Sequence, residues 1–147
     1  MSEAIATILR LLGIRVAHRA SHWKCCICAG IKDRIPPEEK NGVVYKVPCH
    51  DCEEVYVGET MRTLSTRVQE HKRHMRKAEL QRSAIAEHAC SCGHRICWEG
   101  AYVVHCESDW RSRKMKEALY IYTEKRKGTV MNKDDGWRIH ETWQAVL

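Results

Sequence analysis

The sequence has no long apolar run. None approaches the ~18 residues needed to cross a bilayer. The best N-terminal stretch, AIATILRLLGIRVA, is interrupted by Arg10 and Arg15, so neither a secretory signal nor a membrane span is expected. Internal repeats and low-complexity segments are also lacking, which removes the repeat-array and biased-tract readings. Proline occurs three times, and Pro36 and Pro37 stand together in IPPEEKNG, residues 35–42. That break excludes a continuing helix or central strand there. Cysteine is not scarce, but its nine copies are an odd number and nine histidines accompany them in a chain of 147 residues. A chain of that length buries a core without staples, so the cysteines argue for an intracellular, partly metal-binding protein rather than a disulfide scaffold.

Hydrophobic residues make up 44% of the chain and charged residues 30%, a balance that suits one folded domain with a tail. Residues 1–41 show no clear period and read as a linker-like segment; the compact domain is expected over residues 42–147. The net charge is +6 and is concentrated: residues 60–82 hold seven Lys/Arg against two Asp/Glu, and residues 111–127 hold the same numbers. Such clusters suit a polyanion, because neutralised phosphates release counterions. They equally suit two solvated helix faces.

From Gly42 onward, VVYKVP and EVYVGE are short, β-branched and aromatic, and predict two strands. A turn symmetric about the His50–Asp51 peptide would place Cys49 opposite Cys52, Val47 opposite Glu54 and Tyr45 opposite Tyr56. A helix is expected from Thr63, its cap, to about Ala78, with Leu64, Val68, His71 and Met75 at helical spacing and Arg67 sharing a face with His71. A shorter helix should follow over residues 83–90, then a strand over 101–106. A last helix, capped by Asp109, should run from Trp110 to Lys125 and carry Met115, Leu119 and Tyr122. The order ββααβα predicts a small α/β or α+β domain. Cys97 and Cys106 flank strand material and are expected in the core.

Some of these residues suit phosphodiester cleavage, which needs a base for the attacking water, positive charge at phosphorus and help for the leaving oxygen. Tyr45 or Tyr56 could be the base, Arg67 the phosphate clamp, and Glu117 a ligand for a hard divalent cation. A free phenol titrates near ~10, so it would need cations nearby to act at neutral pH. Paired tyrosines also stabilise sheets with no chemistry at all.

In order along the chain, VVY (residues 43–45), YVG (56–58), TRVQEH (66–71), KEALYI (116–121) and MNKDDG (131–136) resemble the motifs of the GIY-YIG nuclease superfamily. The resemblance spans residues 42–136. It implies a small antiparallel or mixed three-stranded sheet flanked by helices. It also implies an active site of Tyr45, Tyr56, Arg67, His71, Asn132 and Glu117, with Glu117 holding catalytic Mg²⁺ or Mn²⁺. In that scheme Tyr45 activates water, directly or through the metal, Arg67 stabilises the charge, and Tyr56 and His71 position groups or relay protons. GVVYKVPCHDCEEVYVGET, LSTRVQEHKR, SAIAEHACSCGHRICW and GWRIHETW are similar to the endonuclease domain of Penelope-like retroelements. This closer resemblance implies nicking of chromosomal DNA to prime reverse transcription, hence a nuclear location and a reverse transcriptase domain or its product as partner. No polymerase domain is present in the chain. LGIRVAH and KDRIPPEEKNG make residues 4–40 look like a remnant of the segment joining polymerase to nuclease. Two departures stand out: the first motif reads Val-Val-Tyr, and Met61 replaces a usual glycine. Two other functions stay open, a zinc-stabilised nucleic-acid-binding module that no longer cuts, and a repair nuclease specific for branched DNA.

Cys49 and Cys52 form a Cys-x-x-Cys at the expected hairpin tip, two of the roughly four N or S ligands that zinc needs. Cys90, Cys92 and His50 are nearby competitors for the rest. The retroelement resemblance implies His88 and His94, a structural zinc stapling the hairpin to the second helix. Cys25 and Cys28 form another Cys-x-x-Cys, expected as unpaired thiols, in a segment including Cys26 to which no role is assigned.

Overall fold

The structure, a computed structural model, describes residues 3–14, 36, 39–77 and 79–139. Its elements are α1 (Glu3–Leu11), β1 (Val43–Pro48), β2 (Val55–Thr60), α2 (Leu64–Arg76), a 3-10 turn (Leu80–Arg82), α3 (Ala84–Cys92), β3 (Tyr102–Cys106) and α4 (Trp110–Lys127). The strands form one antiparallel sheet in the order β2-β1-β3. The chain is thus mixed α/β, with a small three-stranded sheet flanked by helices. Among the described residues no helix is long and apolar enough to cross a membrane.

β1 is central and buried on both faces, because strand side chains alternate and helices cover each side. Val43, Tyr45 and Val47 pack with Leu64 and Val68 of α2 and Ile85 and Ala89 of α3. Val44, with Val57 of β2, packs on Ala118, Leu119 and Ile121 of α4. Lys46 points to the α4 side, its Nζ 2.8 Å from Glu124 Oε1 and 5.1 Å from the centre of the Tyr120 ring. The expected helix starts are capped. The side chains of Thr63, Ser83 and Asp109 accept from the backbone N–H of Thr66, Ala86 and Ser112, each satisfying a donor that the first helical turn leaves open.

The hairpin register differs from the expected one by two residues. Tyr45 faces Gly58, and Tyr56 faces Val47. The turn is wider than a symmetric tip: Cys49 N–H donates to the Glu54 carbonyl at 2.9 Å. Asp51 at its apex is held from outside, accepting from the Arg95 main-chain N–H and guanidinium, each at 2.7 Å. A shift of two keeps every side chain on its face, so the two phenols remain neighbours diagonally, with ring centroids 6.2 Å apart. Gly58 makes this possible. A Cβ there would lie 2.6 Å from the Tyr45 hydroxyl oxygen and 2.8 Å from Tyr56 Cε1, far inside van der Waals contact.

Two further differences concern the chain's flanks. Residues 1–41 show no period in sequence, yet Glu3–Leu11 form α1, with Ala6, Ile8 and Leu9 buried. A nine-residue helix is marginal alone; Ile8 and Leu9 stabilise it by joining the α4 core. Cys106 is exposed and Cys97 half-buried, rather than both in the core, because Cys106 ends the edge strand β3. Cys25, Cys26 and Cys28 lie outside the described residues.

Candidate active site and metal centre

α2 brings Arg67 and His71, one helical turn apart, onto the Tyr45 hydroxyl. Arg67 Nε donates to it at 3.3 Å, and His71 Nε2 lies 2.8 Å away. Burial, and then the Arg67 charge, push His71 down to about 3, so its ring is neutral at ordinary pH. The neutral ring bridges two hydroxyls, with Nε2 on Tyr45 Oη and Nδ1 3.4 Å from Ser83 Oγ, one nitrogen donating and the other accepting. Burial also raises Tyr45, with the neighbouring Tyr56 adding to the effect and Arg67 opposing it. Tyr45 is fully buried and keeps its proton at neutral pH. Burial raises Tyr56 as well, but Tyr56 is half-buried and faces the cavity described below.

Glu117 and Asn132 sit on the opposite side of β2, at its outer edge. An edge strand presents unpaired N–H groups, and here each finds a partner outside the sheet. Val55 N–H donates to the Thr129 carbonyl at 2.9 Å, Val57 N–H to Asn132 Oδ1 at 2.9 Å, and Glu59 N–H to Glu117 Oε1 at 3.1 Å. Asn132 Nδ2 returns a bond to the Val57 carbonyl at 2.7 Å. Both residues therefore have a structural task alongside any chemical one.

Around this edge runs a cavity of about 640 Å³, lined among others by Tyr56, Arg67, Glu117 and Asn132. Four of the six sequence-derived candidates meet there, while Tyr45 and His71 lie directly behind Arg67. Sequence reasoning missed the charged partners. Lys114 Nζ bridges Glu117 Oε2 at 3.0 Å and Glu59 Oε1 at 3.1 Å. Arg113, 3% exposed, holds Glu59 Oε2 at 2.6 Å. Burial raises Glu117, opposed by the Lys114 hydrogen bond, whereas the hydrogen bonds from Arg113 and Lys114 outweigh burial and lower Glu59. The Glu59–Lys114–Glu117 arrangement shows that two carboxylates share a single cationic partner. Both are hard oxygen donors, and Lys114 between them is one-third exposed. Glu59 stands in the quoted YVGET stretch, but only the fold reveals that it and Glu117 share a partner.

At the hairpin tip, Cys49, Cys52, His88 and His94 offer ligand atoms that all lie within 4.8 Å of one another. These four residues can hold a metal ion. His94 Nδ1 lies 3.3 Å from His88 Nε2, and Cys52 Sγ lies 3.6 Å from the same nitrogen. Bond lengths to zinc give tetrahedral edges of about 3.3 Å for N–N and about 3.6 Å for S–N. The other nitrogen of His88, Nδ1, lies 3.2 Å from Glu54 Oε2, the kind of carboxylate contact that orients a ligating imidazole. The competitors fall outside the cluster. Cys92 Sγ is 4.0 Å from His88 Nδ1, the nitrogen turned away from the other ligands, and His50 pairs with Asp51 and Arg95.

Comparisons with protein-family models, curated proteins and solved structures return no match.

Proposed function

We propose that the protein is a divalent-metal-dependent DNA endonuclease that nicks a phosphodiester strand, of the retroelement type its motifs resemble, with a zinc ion on Cys49, Cys52, His88 and His94 as a structural staple. The observation that carries this reading is the gathering of Tyr56, Arg67, Glu117 and Asn132, from residues 56 to 132, around one cavity. Arg67, with Nη1 on Glu70 at 2.8 Å and Nε anchored on Tyr45, would turn its remaining guanidinium N–H groups to a phosphate. Tyr45 and His71 then act behind the phosphate as positioning groups: the Tyr45 hydroxyl orients Arg67, and the neutral His71 imidazole holds that hydroxyl in place. Tyr56 is the phenol positioned to meet the attacking water. Asn132 keeps β2, and with it Tyr56, in register. Mg²⁺ or Mn²⁺ held by Glu117 would supply Lewis-acid stabilisation of the developing charge.

One observation favours a second reading. The Lys114 ammonium stands between Glu59 and Glu117, where a divalent cation would bind, as it would in a nucleic-acid-binding module that no longer cuts. Nicking of supercoiled plasmid in Mg²⁺ separates the two. The endonuclease converts supercoiled to open-circular DNA, and Glu117→Gln lowers that rate about a hundredfold or more while zinc content stays unchanged. Plasmid binding with no conversion above the Glu117→Gln level establishes the module instead.

A further inference from the structure

Two indoles stand partly exposed at the cavity. Trp110, the first residue of α4, is 57% exposed, and Trp137 is 39% exposed. Their ring centroids lie 5.6 Å apart with planes inclined by 34°, and both line the cavity that holds Arg67, Arg82 and Lys133. Leaving two tryptophans half in water forgoes the burial that usually stabilises such side chains, and an exposed large apolar pair is the informative kind of surface.

The placement is built into the fold. Gly136, with φ of +69°, lies against α4, where a Cβ would come within 3.3 Å of the Ala118 Cα and 3.2 Å of Ile121 Cδ1. Its left-handed backbone and missing side chain seat the segment after α4 on the helix and bring Trp137 beside Trp110. Of the cavity's cations, Arg67 pairs with Glu70 at 2.8 Å and Lys133 with Glu87, whereas Arg82 is available: it is 73% exposed, and its ion pair with Glu79 is 3.9 Å long, too loose to hold it against a phosphate. Aromatic rings beside cations that follow a backbone are the recognition chemistry of unpaired nucleotides, since every base has a face to stack and every linkage a charge. A volume of about 640 Å³ falls within the range of sites that take small molecules, about 300–1,000 Å³.

We infer that Trp110 and Trp137 form a stacking platform for an unpaired DNA base, so that the substrate is DNA carrying a single-stranded or displaced nucleotide next to the phosphate held by Arg67 and Arg82. The inference deepens the endonuclease reading and rests on it. The test compares two labelled DNAs of the same sequence, one fully paired and one with a single-stranded flap, binding the full chain in Ca²⁺.

The wild-type chain should bind the flapped DNA about tenfold more tightly than the paired one, the range that loss of a stacked base covers, with quenching of tryptophan emission. Trp110→Ala and Trp137→Ala should each remove most of that preference while changing paired-duplex affinity less than about twofold, and Trp110→Tyr should keep part of it. Circular dichroism and zinc content of the variants separate misfolding from lost stacking. Equal wild-type affinity for the two DNAs, or variants that weaken both alike, overturns the platform. Plasmid nicking by a wild-type chain without flap preference removes the platform and leaves the endonuclease standing. A flap preference without nicking in Mg²⁺ keeps the platform and removes the endonuclease.

Discussion

The two basic helices start from the same charge count but differ in whether they bury any of those cations. Residues 60–82 and 111–127 each hold seven Lys/Arg and two Asp/Glu. α2 turns its cations outward: Arg73, Arg76 and Lys77 are exposed, and Lys72 lies over the Trp98 ring at 5.6 Å. Among the described residues, the ion pairs of residues 60–82 involve Arg62, Arg67, His74 and Arg82, which leaves that outer face open to a polyanion. α4 draws two of its cations, Arg113 and Lys116, inward, while Arg111, Lys125, Arg126 and Lys127 stay exposed. Lys116 is 1% exposed and 2.5 Å from Glu107, Arg113 grips Glu59, and the exposed Lys127 reaches in to the buried Glu124 at 3.0 Å. Charge density in sequence therefore does not say whether a helix is an interface or a core; the carboxylates that neutralise α4 come mostly from other elements. The ionisable groups that do become buried are handled differently as well. α4 sets its buried Arg113 and Lys116 against carboxylates, whereas α2 buries His71 as a neutral imidazole.

The contrast is broken most severely at Lys116. Lys116→Ala leaves Glu107 unpaired, and loss of one member of a buried ion pair costs about 3–5 kcal/mol. Glu107 is 20% exposed and can recover some hydration, which favours the lower end, about 3 kcal/mol. Urea unfolding measures it. Lys116→Met, which fills the same space, should cost clearly less than Lys116→Ala. A loss under about 1 kcal/mol, ordinary for a surface site, would mean that α4 is not the buried-charge helix described above.

His71 gives the next effect, and its sign follows from linkage. The folded-state value of about 3 lies below the usual 6.5, so between those limits the unfolded chain binds the extra proton. The neutral ring's contribution is fully present above pH 6.5 and is lost as pH falls toward 3, at no more than about 1.4 kcal/mol per pH unit. Wild-type stability should fall more steeply than that of His71→Gln across this window, as read by urea unfolding at several pH values. Parallel curves would place a charged or hydrated His71 in the folded protein.

The smallest stability effect is expected on the outer face of α2. Arg73→Gln, Arg76→Gln and Lys77→Gln should each change unfolding free energy by no more than about 0.5 kcal/mol. In the endonuclease reading they weaken plasmid binding and flatten the dependence of log affinity on log salt by about 0.9 for each phosphate that is no longer neutralised. Equal salt slopes for wild type and the triple variant would show that this face does not meet DNA.

Much of the secondary structure was legible because local rules produce it. Thr63 and Asp109 cap the helices they were expected to cap, and Leu64, Val68 and His71 mark the buried stripe of α2. The hairpin register was not legible, since it depends on Arg95 holding Asp51 from 44 residues away. Nor was the burial of α4, whose residues from Lys116 to Ile121 are all buried and so show no amphipathic period to read. The site residues Tyr45, Tyr56, Arg67, His71, Glu117 and Asn132 came from motif resemblance. Their mutual placement, and the parts played by Glu59, Lys114 and the two tryptophans, needed the fold. His88 and His94 were likewise outside the reach of spacing, separated from Cys52 by a long intervening segment.

The closed outer edge of β2 bears on how the chain is made. Its bonds from Glu117 and Asn132 span 58 and 75 residues, so a growing chain that has released only the first hairpin exposes a half-finished ribbon. That ribbon waits for α4 and the segment after it. Loop closure over such distances slows the final step, and during synthesis the open ribbon is the stage most vulnerable to pairing with a neighbouring chain.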